Sequence, residues 1–395
     1  MFFLNVYAYQ TLRTLSAPAY LRIAYWVVIG LSVVTPVAAL CIIARLGEVM
    51  SVGGWAVSML AIFLAPAIAM TVVLLLEDVA RAVLLAVRYC LHLSPAALPR
   101  AKWVSIVSLA LGGVSLLVML HGVTWGKYCY RVQNQVVYFN NLPQAFDGFR
   151  ILHLSDFHAG SFSSPEDVQR GIDLANEQHA DLFVFSGDMV NNFADELYPW
   201  AAHLAAIKAP YGQLAVLGNH DYGDYSSWAT AEAKAANLQS LIEQERSIGL
   251  QVLLDENVTI EKDGQKIVVA GVQNIGMYSH FRIYGDLKKA LSGVDSTAFK
   301  ILISHDPSHW DKEVSDYPEK IHLTLSGHTH GFQFGVETPL FKWSPVQWIY
   351  PRWAGLYEKN DRYLYVNRGF GFIPFFMGRV GILPEITVIE LRVKR

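Results

Sequence analysis

The chain is 395 residues long, carries a formal net charge of −3 and is 53% hydrophobic. Near neutrality without a basic run argues against a nucleic-acid partner, and so large an apolar share is unusual for a wholly soluble protein. Of the three cysteines only Cys129 lies beyond the apolar first third, so no disulfide can form within the remainder.

Met1–Tyr9 is apolar and aromatic but too short to span a bilayer. It reads as an interfacial anchor or the end of a further helix, and it lacks the basic n-region and cleavage site of a signal peptide. Ile23 to Ala44, Met50 to Leu76 and Trp103 to Gly126 are free of Lys, Arg, Asp and Glu for longer than a membrane-crossing helix needs. They predict three spans near 23–44, 50–76 and 103–126, in which Pro36 and Pro66 are tolerable kinks. Only His121 is ionisable within them, which argues against a transporter. Near 79–93, Arg81 and Arg88 share one helical face, which suits a helix lying at the membrane surface. Glu77 and Arg81 are spaced for an i,i+4 pair. Basic residues gather before the first span (Arg13, Arg22) and between the second and third (Arg81, Arg88, Arg100, Lys102). The first connection has only Arg45, beside Glu48. The positive-inside rule then puts the N-terminus and second connection in the cytoplasm and the chain after residue 126 outside it, against a mild pull from Lys127 and Arg131.

From residue 127 strand-like and helix-like segments alternate, as in a layered α/β domain. Arg131 to Phe139 reads as an edge strand, so 127–148 is a linker and edge strand ahead of a domain over 149–395. Ile151 to Leu154 is a short buried strand ending in Asp156 and His158. Pro165 opens a helix to about Gln178. Leu182 to Phe185 is a strand ending in Gly187-Asp188, and a helix follows over about Glu196 to Ile207. Gln213 to Leu217 ends at Gly218-Asn219-His220-Asp221, with a helix from Trp228 to about Ser247. Val258 to Glu261 and Lys266 to Ala270 flank the hairpin turn Asp263-Gly264. Lys300 to Ile303 ends at Ser304-His305, and Ile321 to Leu325 at Ser326-Gly327-His328-Thr329-His330. Tyr363 to Val366 and Glu385 to Leu391 are the late strands.

Five apolar strands thus end in metal-competent residues. Singly each is ordinary turn chemistry. In open α/β sheets, however, the functional crevice lies beyond the carboxyl ends of the strands, so all five endings can converge. Asp156, His158, Asp188, Asn219, His305, His328 and His330 are too many for one ion and suit two, about 3.5–4 Å apart with one bridging carboxylate. A mixed imidazole, carboxylate and carboxamide set suits manganese, iron, cobalt or zinc better than an all-oxygen magnesium or calcium cage. Such ions make hydroxide available near neutral pH and polarise a phosphoryl group, while a positioned imidazole protonates the leaving alkoxide.

This series of blocks resembles the calcineurin-like metallophosphoesterase superfamily, from about residue 149 to the end. Leu364 to Gly371 and Arg379 to Ile386 are similar to the close of its membrane-associated bacterial branch, with relatives such as UDP-2,3-diacylglucosamine hydrolases and multi-spanning membrane phosphoesterases. Phe332 departs from that branch, which has a second glycine there. The resemblance implies a four-layer αββα sandwich, here preceded by an all-α transmembrane region. It implies Asp156, His158 and His330 on a first metal, Asn219, His305 and His328 on a second, and Asp188 bridging. It makes His220 the general acid and Asp221 the residue orienting its ring. Two divalent ions are implied, manganese ahead of zinc, iron or cobalt. The activity implied is hydrolysis of a phosphoester or pyrophosphate by a metal-bound hydroxide.

His153, His309 and His322 read as satisfied core histidines, and Asn191 and Asn192 either contact substrate or cap a turn. Phe341 to Phe376 is crowded with Trp, Tyr and Phe, interleaved with Lys342 and Arg352, which suits a headgroup-level membrane surface. Phe372 to Met377 is apolar enough to dip into a leaflet. With the spans, this points to a multi-pass protein of a bacterial cytoplasmic membrane, whose partners are the bilayer and an amphiphilic phosphorylated substrate. Two alternatives remain: a tethered phosphodiesterase acting on a soluble nucleotide or sugar phosphate, and a membrane receptor or scaffold with a structural metal site.

Overall fold

The computed structural model describes residues 1–46, 49–93, 98–278 and 282–394. The chain divides into two units, Met1–Trp125 with Pro374–Gly378, and Gly126–Ile373 with Arg379–Arg395.

In the first unit α1 (Phe2–Ala8) and α2 (Gln10–Thr14) precede α3 (Ala19–Leu46), α4 (Val49–Cys90) and α5 (Lys102–Thr124). The last three are long and apolar enough to cross a membrane. Small residues let α4 and α5 approach: a Cβ on Gly112 would collide with Met70, and Ser108 Oγ donates to the Met70 carbonyl at 3.2 Å. The second apolar stretch and the expected surface helix are one element. At 42 residues α4 is about 63 Å long, twice the hydrocarbon thickness of about 30 Å. Hydropathy stops at Glu77, but no Gly or Pro follows to stop the helix, and its charges are matched in place. Arg100 Nη2 holds both Asp78 oxygens at 2.8 and 2.6 Å, and Tyr7 donates to the same carboxylate. Arg81 pairs with Asp78 at 2.8 Å rather than with Glu77, which faces Arg100 and the Ala101 N–H. Glu48 of the first connection lies outside the described residues, as do 94–97 and 279–281. Pro374–Gly378 packs within this unit, where Met377 N donates to Ser58 Oγ at 2.8 Å.

The second unit runs β1 (Arg131–Phe139), β2 (Arg150–Leu154), α6 (Pro165–Asn176), β3 (Leu182–Phe185), α7 (Ala201–Leu204), β4 (Gln213–Ala215), α8 (Ala231–Ser247) and β5 (Gln251–Val252). It continues β6 (Glu256–Lys262), β7 (Gln265–Gly271), α9 (Leu287–Ala290), β8 (Lys300–Ile303), α10 (Ser308–Lys312) and β9 (Leu323–Ser326). It closes with β10 (Val336–Glu337), β11 (Lys342–Trp343), β12 (Gly355–Lys359), β13 (Arg362–Val366) and β14 (Glu385–Val393). Two six-stranded sheets result, ordered β1-β14-β2-β3-β4-β5 and β12-β13-β9-β8-β7-β6. Strand alternation explains their stacking. Leu182 and Val184 of β3 and Ile301 and Ile303 of β8 enter one buried cluster fed by both sheets. Leu302 points the other way, meeting Leu287 of α9 and Trp310 of α10. Helices therefore lie outside a double sheet, the αββα sandwich. Strands β2, β3 and β4 are mutually parallel, as are β7, β8 and β9, so each sheet gathers several carboxyl ends at one edge.

Local differences from expectation have local causes. Instead of a helix over 196–207, a 3-10 segment Ala194–Trp200 leads into α7. Pro199 interrupts the ladder, and Glu196 turns its carboxylate onto the N–H groups of Gly160, Asn191, Asn192 and Phe193. Helix α8 starts at Ala231 because the Thr230 hydroxyl caps Ala233 N at 3.1 Å. The β6–β7 turn is left-handed at Asp263 and Gly264 (φ 49° and 73°), and Asn360-Asp361 makes a similar turn between β12 and β13.

Helix α8 buries Glu245, whose carboxylate oxygens have no hydrogen-bond partner. Burial, and then the nearby Asp221, raise it well above the ordinary 4.5. The folded chain keeps a proton there that the unfolded chain releases above pH 4.5, so stability drains away as pH rises past that value. Glu245→Met should stabilise the protein by about 2 kcal/mol near pH 8 and by less near pH 5. Thermal melts in detergent at the two pH values check this; an equal gain at both would contradict it.

Candidate metal centre

Bonds just past the strand ends hold the ligand-bearing turns together. Asp156 N donates to Gly187 O at 2.9 Å and His158 N to Asp188 O at 3.1 Å; across the other sheet Gly327 N donates to His305 O at 2.9 Å. The turns are tight. Asp156 (φ 53°), His158 (51°), Asp188 (59°), His328 (71°) and His330 (50°) all sit in the left-handed region, which non-glycine residues occupy at a cost of about 1 kcal/mol or more and mostly at functional sites. The chain stays left-handed through Gly331, Phe332 and Gln333. Glycine is needed where the carboxylates pass closest: a Cβ on Gly218 would collide with Asp188, and one on Gly327 with Asp156.

Two donor sets result. In the first, His330 Nε2 lies 3.0 Å from His158 Nε2 and 3.2 Å from Asp156 Oδ1. In the second, His305 Nε2 lies 3.1 Å from both Asp188 Oδ2 and Asn219 Oδ1, and 3.3 Å from His328 Nδ1. His328 Nδ1 is also 2.8 Å from Asn219 Oδ1. Asp188 Oδ2 stands 3.7 Å from His158 Nε2 and so faces both sets. Donors sharing an ion at about 2.0–2.1 Å stand about 3.0–3.4 Å apart, so both sets fit a divalent cation. All seven expected ligands are here, and His220 forms a close group with His158 and Asp188.

Bonds on the outward nitrogens leave the inward ones for a cation. His158 Nδ1–H donates to Asn191 Oδ1 at 3.0 Å and His305 Nδ1–H to the Ser186 carbonyl at 2.8 Å. His328 Nε2–H donates to Tyr350 at 2.8 Å, whose hydroxyl donates onward to Asp306 at 3.1 Å. Asn219 Nδ2 donates to the Tyr225 hydroxyl at 2.8 Å, turning its carbonyl oxygen inward. Burial disfavours charge on Asp188, yet His305, His220 and His158 hold its carboxyl well below the usual range. Burial likewise opposes charge on His305, but Asp188 raises it to about 10, so a cation arriving there displaces a proton. Burial pushes His158, His328 and His330 below the usual 6.5, leaving neutral imidazoles.

The His220 ring packs against His158 and Tyr225, with Nδ1 2.9 Å from the Asn191 carbonyl. Asp221 does not orient that ring. Its Oδ2 accepts from Asp188 N (2.9 Å) and Gly218 N (2.8 Å), and its Oδ1 from Met189 N (2.8 Å) and Val190 N (3.2 Å). Those backbone donors have no strand partner, and they draw the carboxylate under the Asp188 turn. His153 (to Ser186, with its Nδ1 lacking a partner), His309 (to Ser304 and Glu313) and His322 (to Lys300 N and Asn141) make structural bonds. Asn191 does more than cap a turn, since it holds both His158 and His220.

Tyr350, Asp306, Tyr225 and Arg379 are contributors that the sequence pattern passes over. Arg379, fully buried, reaches within 3.2 Å of His330 Nδ1 and ties down the carbonyls of Arg368 (2.8 Å) and Gly369 (3.0 Å). Asp306, directly after His305, and Arg379, which opens the Arg379–Ile386 block, carry a sequence signal, though neither pattern states a role. Tyr350→Phe removes the hydroxyl bonded to the outward nitrogen of His328, leaving that nitrogen beside Asp306 Oδ2 at 3.5 Å, and should weaken ion binding on that side about 10–100-fold. Calorimetric metal titration measures this, and an unchanged affinity would mean that Tyr350 does not set the tautomer.

The model of the calcineurin-like phosphoesterases matches residues 149–332, and that of the 4TM phosphoesterase transmembrane domain matches residues 1–127. The uncharacterized metallophosphoesterase YkuE of Bacillus subtilis is 32% identical over 259 residues, covering 64% of this chain and 82% of that protein. A transmembrane protein with metallophosphoesterase domain from Danio rerio is 27% identical over 71% of this chain, which spans 61% of that relative's length. The UDP-2,3-diacylglucosamine pyrophosphatase LpxG of Chlamydia trachomatis is 27% identical over 58% of this chain and 81% of its own.

Proposed function

Because the chain belongs to the calcineurin-like phosphoesterase family and is a metal-dependent phosphoester hydrolase of a membrane, we propose that it holds two divalent ions and cleaves a lipid-linked or amphiphilic phosphoester or pyrophosphate. The observation that carries the two-ion reading is Asp188, one oxygen of which faces both donor sets. Asp156, His158 and His330 would hold one ion and Asn219, His305 and His328 the other, with Asp188 available to both. Manganese suits this donor mixture, with zinc, iron or cobalt as alternatives. Ions bound there would lower the pKa of a water and polarise the phosphoryl oxygens. The chain's own groups do the rest. His220, anchored at Nδ1 by the Asn191 carbonyl, keeps its other nitrogen for the leaving oxygen and hands it a proton. Tyr225, packed at a tilt against His220, limits the directions from which an ester can approach.

Three membrane-length helices support an amphiphilic substrate, as does the likeness to the chlamydial UDP-2,3-diacylglucosamine pyrophosphatase. The test is phosphorus NMR of a membrane-lipid extract incubated with detergent-solubilised protein and manganese, beside Asp188→Asn. A lipid signal shifted only by the unaltered protein supports the reading; intact lipids beside hydrolysis of a generic aryl phosphodiester overturn the amphiphilic part.

The basic residues ahead of and early in α3 (Arg13, Arg22) and those from the last turns of α4 to the start of α5 (Arg81, Arg88, Arg100, Lys102) favour the cytoplasmic side for their segments, and hence the opposite side for the catalytic unit of a multi-pass protein in a bacterial cytoplasmic membrane. A cysteine placed at the exposed Asp263 should then react with a membrane-impermeant maleimide in spheroplasts; protection until lysis would reverse the orientation.

A further inference from the structure

The excursion between His330 and β12 carries an apolar face that its own unit leaves uncovered. Phe332, left-handed and 49% exposed, begins it two residues past a candidate ligand. In the hairpin that follows, Val336 of β10 pairs with Trp343 of β11, and the tip presents Leu340 at 98% exposure with Phe341 beside it. Trp348, 74% exposed, meets the Trp343 ring edge-on at 5.9 Å, and Ile349 is exposed next to it. The charged side chains of this segment are engaged by partners in their own unit, although Lys342 is itself exposed. Glu337 pairs with Arg368, Lys342 reaches the Ala354 carbonyl and the Trp353 and Tyr357 rings, and Arg352 pairs with Asp311. The aromatic stretch is thus divided. Tyr350, Trp353, Tyr365, Phe370 and Phe372 are core, while the exposed Phe341 and Trp348 lie on the hairpin and the turn after it, and the exposed Phe375 belongs to Pro374–Gly378 of the first unit.

We propose that this face, with Leu340 and Phe341 at its tip and Trp348 and Ile349 at its flank, inserts into the bilayer that the chain itself spans. Chain continuity argues for that occupant. The catalytic unit begins at Gly126, two residues past the end of α5, so a bilayer is always within reach, whereas a soluble partner must be recruited. Composition agrees: Trp at the flank and aliphatic or Phe side chains at the tip match the depth order of a membrane interface. The inference rests on the amphiphilic-substrate reading for its purpose, since an ester presented at the leaflet surface reaches the ions without entering water.

The test is physical rather than enzymatic. In full-length protein with Cys41, Cys90 and Cys129 replaced by Ser, Leu340→Cys is labelled with an environment-sensitive fluorophore and reconstituted into phosphatidylcholine–phosphatidylglycerol vesicles. Leu117→Cys on the exposed face of α5 and Asp263→Cys on the far hairpin turn serve as lipid and water references. Blue-shifted emission at position 340, quenched by doxyl-labelled phosphatidylcholine as at position 117, is the expected result. Emission and quenching like those at position 263 overturn the proposal. A label in lipid on a protein that cleaves no lipid ester would uphold the surface and defeat the substrate reading, so the two fail separately.

Discussion

Asp188→Asn is expected to lower kcat by at least about 10³-fold and to reduce bound metal from two ions toward one, with the fold intact. The substitution keeps the shape. Oδ1 continues to accept from His220 N at 2.9 Å, so the turn after β3 persists. What goes is the charge on the oxygen 3.1 Å from His305 and 3.7 Å from His158. An amide nitrogen in its place sets a donor against nitrogens that must themselves face a cation. His305 also loses the main influence holding it at about 10 and falls back toward the ordinary imidazole range. Elemental analysis of the purified variant, with turnover of an aryl phosphodiester, measures both effects. Two retained ions with a near-normal rate would remove Asp188 from the centre of the proposed mechanism.

Asp221→Ala should cost about 4 kcal/mol or more of stability, because it strands four buried N–H groups that each forfeit about 1–3 kcal/mol when unpaired. Asp221→Asn helps little, since one amide oxygen cannot serve four donors and its NH₂ faces two of them. Thermal unfolding in detergent reads the effect directly. If the melting temperature is unmoved while turnover vanishes, the carboxylate orients His220 after all and the bonding seen here is secondary.

How far the sequence can be read follows from what each feature depends on. The five ligand blocks are legible because metal chemistry restricts residue type, and because parallel strands put their carboxyl ends on one edge. The sandwich core is legible for a similar reason, as Leu182/Val184 and Ile301/Ile303 alternate with the pleat. Direction is harder. Asp221 adjoins His220 in the chain, yet its partners at Asp188 to Val190 lie about 30 residues earlier, and only the folded turn reveals them. Tyr350 reaches His328 through an irregular excursion with no periodicity to read. The length of α4 is hidden because hydropathy reports where side chains leave the apolar zone, whereas the backbone ladder continues until something breaks it. Strand β12 is half-exposed and flat in pattern, and only its antiparallel pairing with β13 makes it a strand.

The left-handed backbone at Asp156, His158, Asp188, His328 and His330 sets protein survival against protein use. At about 1 kcal/mol apiece these positions tie up about 5 kcal/mol, when whole domains have net stabilities of about 5–15 kcal/mol. Glycine at the three histidine positions relaxes the chain and deletes a donor in one step, whereas at Asp156 and Asp188 it also strands the backbone N–H of His328 and His220. A library of this sequence selected for heat tolerance alone would therefore accumulate glycines at those histidines and converge on sturdy, inert sandwiches. Only selection that also demands turnover would keep the strained residues in place.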